Sequence, residues 1–211
     1  MVRKTKEDAL ATRTGLIDAA ERLFHTQGVS RTSLADIAAE AGTTRGAIYW
    51  HFKDKGDLCN AMMERAKLPL EEACRFNSDD PGIDPFARLR DSMAHVLHKV
   101  EVDEQIRRVF EIAMLRVEYV EELRSVQERH LSARDQFCTV LERDLAAAAR
   151  EQRVTLRLPA REAAIGLHAL FDGLVQNWIL SRSFDLVHVG CGVMDAYLIG
   201  LGFTIAAPGR C

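Results

Sequence analysis

The sequence predicts an all-α protein, and three observations support this fold class. Apolar residues recur every three or four positions through most of the 211 residues, which is the period of an amphipathic helix. No segment of useful length shows the alternation of a β-strand. Aromatic residues make up only 7% of the chain, a poor supply for a β-sandwich. Because 47% of residues are hydrophobic and 28% charged, the chain is globular rather than disordered.

The first predicted helix ends at Gly28, a residue type that commonly terminates helices. A short second helix follows, capped by Thr32 or Ser33 and broken at Gly42. The apolar face of the first helix comprises Leu16, Ile17, Ala20, Leu23 and Phe24.

A third short helix is capped by Thr43 or Thr44 and runs to about Phe52. Asp54 can cap a longer fourth helix that begins at about Lys55. We expect Pro69 to kink or end this fourth helix, because proline lacks an N–H and clashes with the preceding turn.

Residues 77–85 are rich in turn formers and predict a linker. The helical period then resumes in five further stretches. The chain is therefore divided into a three-helix unit, residues 1–54, and a larger bundle, residues 55–211, with about nine helices in all. The five stretches are 86–101, 104–117, 120–151, 160–182 and 187–203.

The charge is distributed unevenly along the chain. Residues 1–55 carry nine basic and seven acidic residues, whereas the remainder carries 19 basic and 24 acidic residues. A basic end on an acidic body indicates that this end meets a polyanion.

Targeting and cofactor signals are weak in this sequence. There is no signal-peptide pattern at Met1–Asp8, and no apolar run is long enough to span a membrane. The five cysteines form no CxxC pair, so we expect reduced thiols in a cytoplasmic protein, with no disulfide framework, metal site or cofactor.

The stretch from Arg31 to Lys55 carries the main functional signal. It reads as helix, tight turn and helix, the order of a helix-turn-helix whose second helix enters the major groove of DNA. Hydroxyls at helix starts and lysines suit phosphates, while arginine can bind guanine in bidentate fashion. The predicted DNA contacts are Thr32, Ser33, Thr43, Thr44, Arg45, Gly46, Tyr49, Trp50, His51, Lys53 and Lys55.

The aromatic residues of this stretch admit two interpretations. Tyr49 is predicted to contact DNA and Phe52 to lie in the core, whereas Trp50 could do either. Helical pattern alone would not identify a helix-turn-helix, since glycine between two short helices occurs in many folds.

The block from Thr14 to Leu58 resembles the DNA-binding domain of TetR-family transcriptional repressors. The most specific part is the run from Thr44 to Lys55, TRGAIYWHFKDK. With Arg31–Ala38 and the first seven residues, it is similar to the AcrR-like subgroup that regulates multidrug efflux pumps. Weaker similarity extends towards the end of the chain, through Trp178 and residues 183–186. After Arg107 and Arg108, the sequence departs from a motif frequent in relatives, so the ligand spectrum is open.

The resemblance implies a homodimeric repressor that binds a palindromic operator and is released by an amphipathic or aromatic, drug-like inducer. The last two helices would pair with those of a second subunit. The apolar residues of these two helices agree with this pairing. Two adjacent helices this apolar, at the C-terminal edge of a subunit, need a partner subunit to bury them. Gly190, Gly192, Gly200 and Gly202 would permit close approach. The apolar residues are Ala163, Ala164, Leu167, Leu170, Phe171, Leu174, Trp178 and Ile179 in one helix, and Val189, Val193, Tyr197, Leu198, Leu201 and Phe203 in the other.

By the same resemblance, a ligand cavity should lie between the central helices. An apolar lining rich in Met and Phe suits bulky amphipathic molecules. Asp172 is the most pointed candidate, because a buried carboxylate needs a partner or a bound cation. The candidate residues are Met93, Val96, Leu97, Val100, Phe110, Glu111, Met114, Phe137, Leu141, His168, Phe171, Asp172, Val175 and Gln176.

Three other functions compete with a drug-responsive repressor. A family member tuned to an acyl-CoA, fatty acid or other metabolite, and a DNA-binding scaffold without a ligand, both stay open. A helical-bundle enzyme is disfavoured, because no histidine follows a Glu by three positions and no nucleotide or hydrolase motif occurs. His95 and His98 are interpreted as scattered surface histidines.

Overall fold

Helices account for all the regular secondary structure in residues 6–78 and 83–205, the part of the chain that the computed structural model describes. The all-α prediction is therefore confirmed. In chain order the helices are α1 (Lys6–Gln27), α2 (Leu34–Glu40), α3 (Arg45–Ile48), α4 (Lys55–Ser78), α5 (Pro85–Val102), α6 (Glu104–Leu115), a 3-10 turn (Glu121–Leu123), α7 (Arg124–Gln152), α8 (Ala160–Ser181) and α9 (Leu186–Leu201).

The predicted helix signals act where the sequence puts them. Gly28 adopts φ +87° directly after α1, and Gly42 adopts φ +65° after α2, a conformation that side chains other than glycine rarely adopt. Of the alternative caps, Ser33 accepts from the Asp36 N–H at 3.2 Å and Thr44 from the Ala47 N–H at 3.2 Å. These local bonds fix the helix starts.

Two boundaries differ from the prediction. Helix α3 ends at Ile48 and the chain continues to Phe52 in turns, with the Phe52 N–H donating to the Ile48 carbonyl at 3.0 Å. Helix α4 runs through Pro69 to Ser78, so the proline does not end it. Part of the predicted linker, residues 79–82, lies outside the described residues, and Asp84 then caps α5 through the Phe86 N–H.

The chain divides into two compact units that do not follow sequence order. The first unit contains Met1–Lys67 together with Arg108–Leu131, and the second contains Leu68–Arg107 together with Ser132–Cys211. We call Arg108–Leu131 the inserted segment, because it joins the first unit from the middle of the chain. The functional boundary after residue 54 stays a prediction.

The core of the first unit joins the helix-turn-helix to α1 and the start of α4. Its fully buried side chains include Leu16, Phe24, Ile37, Ile48 and Phe52. The predicted core role of Phe52 is therefore confirmed.

In the second unit, α9 packs against both α5 and α8. Tyr197 of α9 donates its hydroxyl to the Ala163 carbonyl of α8 at 3.1 Å. Gly190 faces Leu97 of α5 so closely that an added Cβ would collide with that leucine. Gly190 thus serves packing within the chain, whereas Gly192 and Gly200 have open space beside them. Gly202 caps α9 with φ +112°.

Candidate nucleic-acid interface and ligand site

The segment after the tight turn, residues 43–53, exposes large aromatic side chains to solvent. We call it the reading segment. Trp50 is 89% exposed and Tyr49 is 52% exposed, which decides against a core role for Trp50. Arg45, Gly46 and Lys53 are also exposed, while Thr43 and His51 are half-buried. Because Arg45 and Tyr49 are four residues apart on consecutive turns, they lie on the same side of the segment.

The cations of the first unit fall into two groups. Arg22 pairs with Glu40 at 2.9 Å, and Arg65 pairs with Asp18 at 2.6 Å. Within residues 6–78 and 83–205, in contrast, no carboxylate partner is found for Arg13, Arg45 or Lys53. Unpaired positive charge beside exposed aromatic rings is suited to a polyanion carrying bases and phosphates.

Two of the predicted DNA contacts are buried. Thr32 is 1% exposed and donates its hydroxyl to the Gly28 carbonyl at 2.8 Å. Lys55 is 5% exposed, and its Nζ lies 3.2 Å from both the Ser30 carbonyl and Glu122 Oε2. In this conformation neither side chain is presented to a phosphate. Lys55 begins α4, whereas Thr32 precedes the cap of α2, and the sequence alone could not separate either position from a surface contact.

Two hydroxyls of the interface also serve as caps. Ser33 is exposed, but its Oγ donates to Asp36 Oδ2 at 2.6 Å while accepting from the Asp36 N–H. These bonds from Ser33 hold the pKa of Asp36 below its usual range, since they favour the charged carboxylate. Thr44 is exposed, and its Oγ1 accepts from the Ala47 N–H, which leaves its O–H able to donate to a phosphate. The Ser33 hydroxyl already donates to Asp36, so a phosphate would have to replace that bond.

The inserted segment contacts the end of α1, the helix that precedes the helix-turn-helix. Near the end of α1, Glu21 pairs with Arg108 at 3.2 Å and His25 Nε2 lies 3.1 Å from Glu111 Oε1. The Val29 N–H donates to the backbone carbonyl of Arg116 at 3.0 Å. These contacts tie α1 to α6 over a long sequence separation.

The start of α4 meets the far end of the inserted segment. Lys55 pairs with Glu122, and a Cβ added to Gly56 would collide with Ser125 Oγ. Glu64 and Arg129 also form an ion pair. Next to these groups, burial raises the pKa of the Cys59 thiol to about 12, although the charges of Arg129 and Lys55 oppose the shift. Cys59 is therefore a protonated core residue at neutral pH.

Three of the predicted ligand residues belong to this first unit rather than to a central cavity of the second. Phe110, Glu111 and Met114 lie in the inserted segment, and Glu111 is engaged by His25. All three residues are half-buried, whereas the buried residues of α6 are Ile106, Val109 and Ile112. Their place in a ligand site stays a prediction.

In the second unit, α7 and α8 bring four of the predicted residues together. The ring of Phe137 lies 5.6 Å from that of His168, edge to face, and 6.3 Å from that of Phe171. His168 Nδ1 lies 3.3 Å from Asp172 Oδ2. We call these four residues the aromatic cluster. The Asp172 side chain is 42% exposed, so the expected buried carboxylate is wrong, although its need for a partner is met by His168.

The other predicted ligand residues behave differently from one another. Leu97 packs on α9 at Gly190 and is core, while Gln176 is exposed. The remaining residues are buried in the second unit, namely Met93, Val96, Val100, Leu141 and Val175.

His95 is a polar residue whose environment the sequence did not reveal. Of the pair His95 and His98, His98 is exposed and His95 is half-buried. The Nε2 atom of His95 has no hydrogen-bond partner. Burial lowers the pKa of His95, and the charges of Lys99 and His98 lower it further, so the ring is neutral at pH 7. The interpretation of His95 as a surface histidine was wrong.

The last two helices expose apolar residues other than those that the sequence suggested. Leu167, Phe171 and Trp178 are buried within the chain, and the Trp178 ring donates to the Phe184 carbonyl at 2.9 Å. The exposed residues of α8 and α9 include the polar residues Glu162, Asn177, Ser181 and His188. The other exposed residues are apolar or small apart from Gln176, and we call them the outer stripe: Ile165, Ala169, Gln176 and Leu180 of α8, and Gly192, Ala196, Ile199 and Gly200 of α9.

Within the described residues, no helix is long and apolar enough to cross a bilayer, and no three His, Cys, Asp or Glu side chains group as metal ligands. Cys59, Cys138 and Cys191 are buried, and Cys59 and Cys138 are free thiols.

Comparisons with known proteins agree with this geometry. Residues 16–62 match the model of bacterial regulatory proteins of the tetR family, and residues 84–203 match the C-terminal region of MAATS-type transcriptional repressors. The chain therefore belongs to the TetR family of bacterial transcriptional regulators.

Individual relatives cover most of the chain. The HTH-type transcriptional regulator AcrR of Shigella flexneri is 39% identical, over 88% of this chain and 87% of its own length. NalD, the secondary repressor of the MexAB-OprM multidrug efflux pump in Pseudomonas aeruginosa, is 38% identical with a TM-score of 0.82, over 93% of this chain and 98% of its own. A complex of SmeT with triclosan is 36% identical with a TM-score of 0.78, over 90% and 91%.

Proposed function

We propose that the protein is a dimeric, ligand-released repressor of a multidrug efflux operon and acts in the cytoplasm, where the operator is. The observation that carries the DNA-binding part is the reading segment, with Trp50 and Tyr49 exposed beside the unpaired cations Arg45 and Lys53. Two such segments, one from each subunit, would enter major grooves about 34–36 Å apart on a palindromic operator.

Contacts within the interface divide by type. Arg45 opens α3 and can read a guanine edge, while Tyr49, His51 and Lys53 suit phosphates and sugars. Trp50 offers a flat apolar surface for thymine methyls. Gly46 lacks a side chain and permits close approach. Ser33, Thr43 and Thr44 add short polar contacts near the backbone of the duplex.

The outer stripe supports a homodimer. A charged or strongly polar surface would not need a partner, but Ile165, Leu180 and Ile199 are exposed large apolar residues flanked by small ones. A two-fold interface presents the same patch from both subunits, so one stripe can cover the other.

The aromatic cluster supports an aromatic inducer. Phe137 and Phe171 offer ring faces, and the His168–Asp172 pair offers a donor and an acceptor at the edge. His95, with its unpartnered nitrogen, is a second polar group in the same unit. Triclosan, which SmeT binds in its solved complex, combines two aromatic rings with a phenol and fits this chemistry.

Helices α4, α6 and α7 each contribute residues to both units, so ligand and reading segment are connected through continuous helices. A ligand releases DNA only if it binds the released form more tightly than the DNA-bound form. A coupling of about 1–3 kcal/mol, or about 5–150-fold in affinity, is typical of such switches.

The experiment is a fluorescence-anisotropy titration of a labelled duplex from the region upstream of the protein's own gene. We expect tight, salt-dependent binding that triclosan or the dye ethidium reverses. Failure to bind this duplex at low ionic strength, with helicity intact, would overturn the proposal. Release by oleoyl-CoA but not by triclosan, ethidium or quercetin would favour a metabolic regulator instead.

The ligand site is tested with Asp172→Asn, using Glu162→Gln as the control. Both variants remove one negative charge from α8, but Glu162 is an exposed residue outside the aromatic cluster. Only Asp172→Asn should change the triclosan concentration needed for release, with DNA affinity before induction unchanged. An identical response in the two variants would count against the aromatic cluster as the ligand site.

A further inference from the structure

Arg13 of α1 is a cation that the sequence pattern did not single out. Its side chain is exposed, and its guanidinium carbon lies 4.9 Å from the centre of the Phe52 ring. Phe52 is itself 1% exposed and directly precedes Lys53 of the reading segment. The guanidinium of Arg13 is therefore held beside the end of the reading segment, although the two are 39 positions apart in the chain.

This position is electrostatically different from that of the other arginine on α1. Arg22 is also exposed, but its Nε donates to Glu40 at 2.9 Å, so its charge is already balanced. Arg13 meets a ring face instead of a carboxylate, and no acidic partner is found for it in the part of the chain that the structure describes. A ring face holds the guanidinium without neutralising it. All five donors keep their capacity to bind an anion.

We propose that Arg13 is an additional phosphate contact of the DNA interface, positioned by the ring of Phe52. Like Arg45 and Lys53, Arg13 has no carboxylate partner among the described residues, and a duplex lying on the reading segment supplies the missing anion. The inference rests on the proposed DNA-binding function. It assigns Arg13 to affinity rather than sequence choice, because phosphate contacts position a protein without reading bases.

The test compares Arg13→Gln with Arg22→Gln. Each removes one positive charge from α1, so their effects on net charge are identical. Affinity for the labelled upstream duplex is measured at several salt concentrations. Arg13→Gln should reduce the slope of log affinity against log salt by about 1.8, about 0.9 for each subunit's contact, and Arg22→Gln should leave it unchanged.

Arg13→Lys adds a readout that a purely structural role would not move. It keeps the charge but loses the planar group that lies on the ring, so the salt slope should be largely restored while the affinity stays below that of the unchanged protein. Circular dichroism checks that each variant is folded.

Each outcome has one meaning. If the unchanged protein does not bind the duplex, the proposed function fails. If it binds, and Arg13→Gln and Arg22→Gln have the same slope, only the assignment of Arg13 is wrong. A lower slope for Arg13→Gln alone, restored by Arg13→Lys, supports the assignment.

Discussion

The reading segment and the outer stripe both expose large apolar side chains, but their neighbours differ. Trp50 and Tyr49 stand among cations that lack carboxylate partners in the described part of the chain, whereas Ile165 and Ile199 have Gly and Ala neighbours. Leu180, the third large residue of the outer stripe, lies one turn from the uncharged Gln176. Exposed apolar area by itself indicates only that a surface binds a partner. The charge around it indicates which partner fits: a polyanion for the first surface and a second copy of the chain for the second.

The largest expected effect comes from placing a charge on the outer stripe. Ile199→Asp would bury two carboxylates in a two-fold interface, which costs several kcal/mol unless they are paired. We expect a monomer at micromolar concentration in analytical ultracentrifugation, and a loss of operator affinity of more than about 100-fold, or about 3 kcal/mol.

Val140→Asp is the matched control, because Val140 is an exposed apolar residue of α7 outside the stripe. A dimer that survives Ile199→Asp, or that Val140→Asp disrupts equally, would place the subunit interface elsewhere.

On the reading segment, Arg45→Ala should weaken operator binding by about 1–3 kcal/mol for each half-site if the guanidinium reads a base. The measurement compares the upstream duplex with a scrambled duplex of equal length. Equal losses on both would reduce Arg45 to a phosphate contact.

Two glycines in the first half of α9 form a matched pair, because Gly190 is buried and Gly192 is exposed. Gly190→Val would force Leu97 to move and should lower the free energy of unfolding by about 1–3 kcal/mol. Gly192 has open space beside it, so Gly192→Val should lower the free energy of unfolding of the subunit, measured by urea denaturation, by less than Gly190→Val does. Its main effect should be on the dissociation constant of the dimer. The reverse order would contradict the packing of α9 on α5.

The smallest effect concerns the tie between α4 and the inserted segment. Glu122→Gln leaves the ammonium of Lys55 with the Ser30 carbonyl but without its carboxylate, which should cost about 1 kcal/mol in thermal unfolding. Glu121→Gln is the control, because Glu121 forms an exposed pair with Arg124 that contributes about 0.5 kcal/mol or less. Equal losses of stability in the two variants would mean that the Lys55–Glu122 pair stabilises the fold no more than an exposed surface pair does.

Sequence reasoning succeeded where the determining interactions are local. Gly28 and Asp54 mark helix ends through dihedral angles and hydrogen bonds within four residues, so the pattern was sufficient there. At the starts of α2 and α3 the pattern narrowed the cap to two adjacent residues, of which Ser33 and Thr44 make the bonds. Recognition of the family also followed from a contiguous run of residues.

Sequence reasoning failed where the partner lies far along the chain. Lys55 has the residue type and position of a phosphate contact, yet Ser30 and Glu122 bury it from 25 and 67 positions away. The resemblance places Glu111 among the ligand candidates, and the contact of its carboxylate with His25 of α1 is a long-range pairing that no local pattern predicts.

The amino-acid sequence by itself determined the all-helical class, the helix stops at Gly28 and Gly42 and the position of the helix-turn-helix, because these depend on neighbours along the chain. Only the tertiary structure decided that Arg108–Leu131 joins the first unit, that Gly190 faces inward while Gly192 faces outward, and that Arg13 lies beside Phe52. Those outcomes depend on which distant surfaces exclude water together, and no local periodicity encodes that choice.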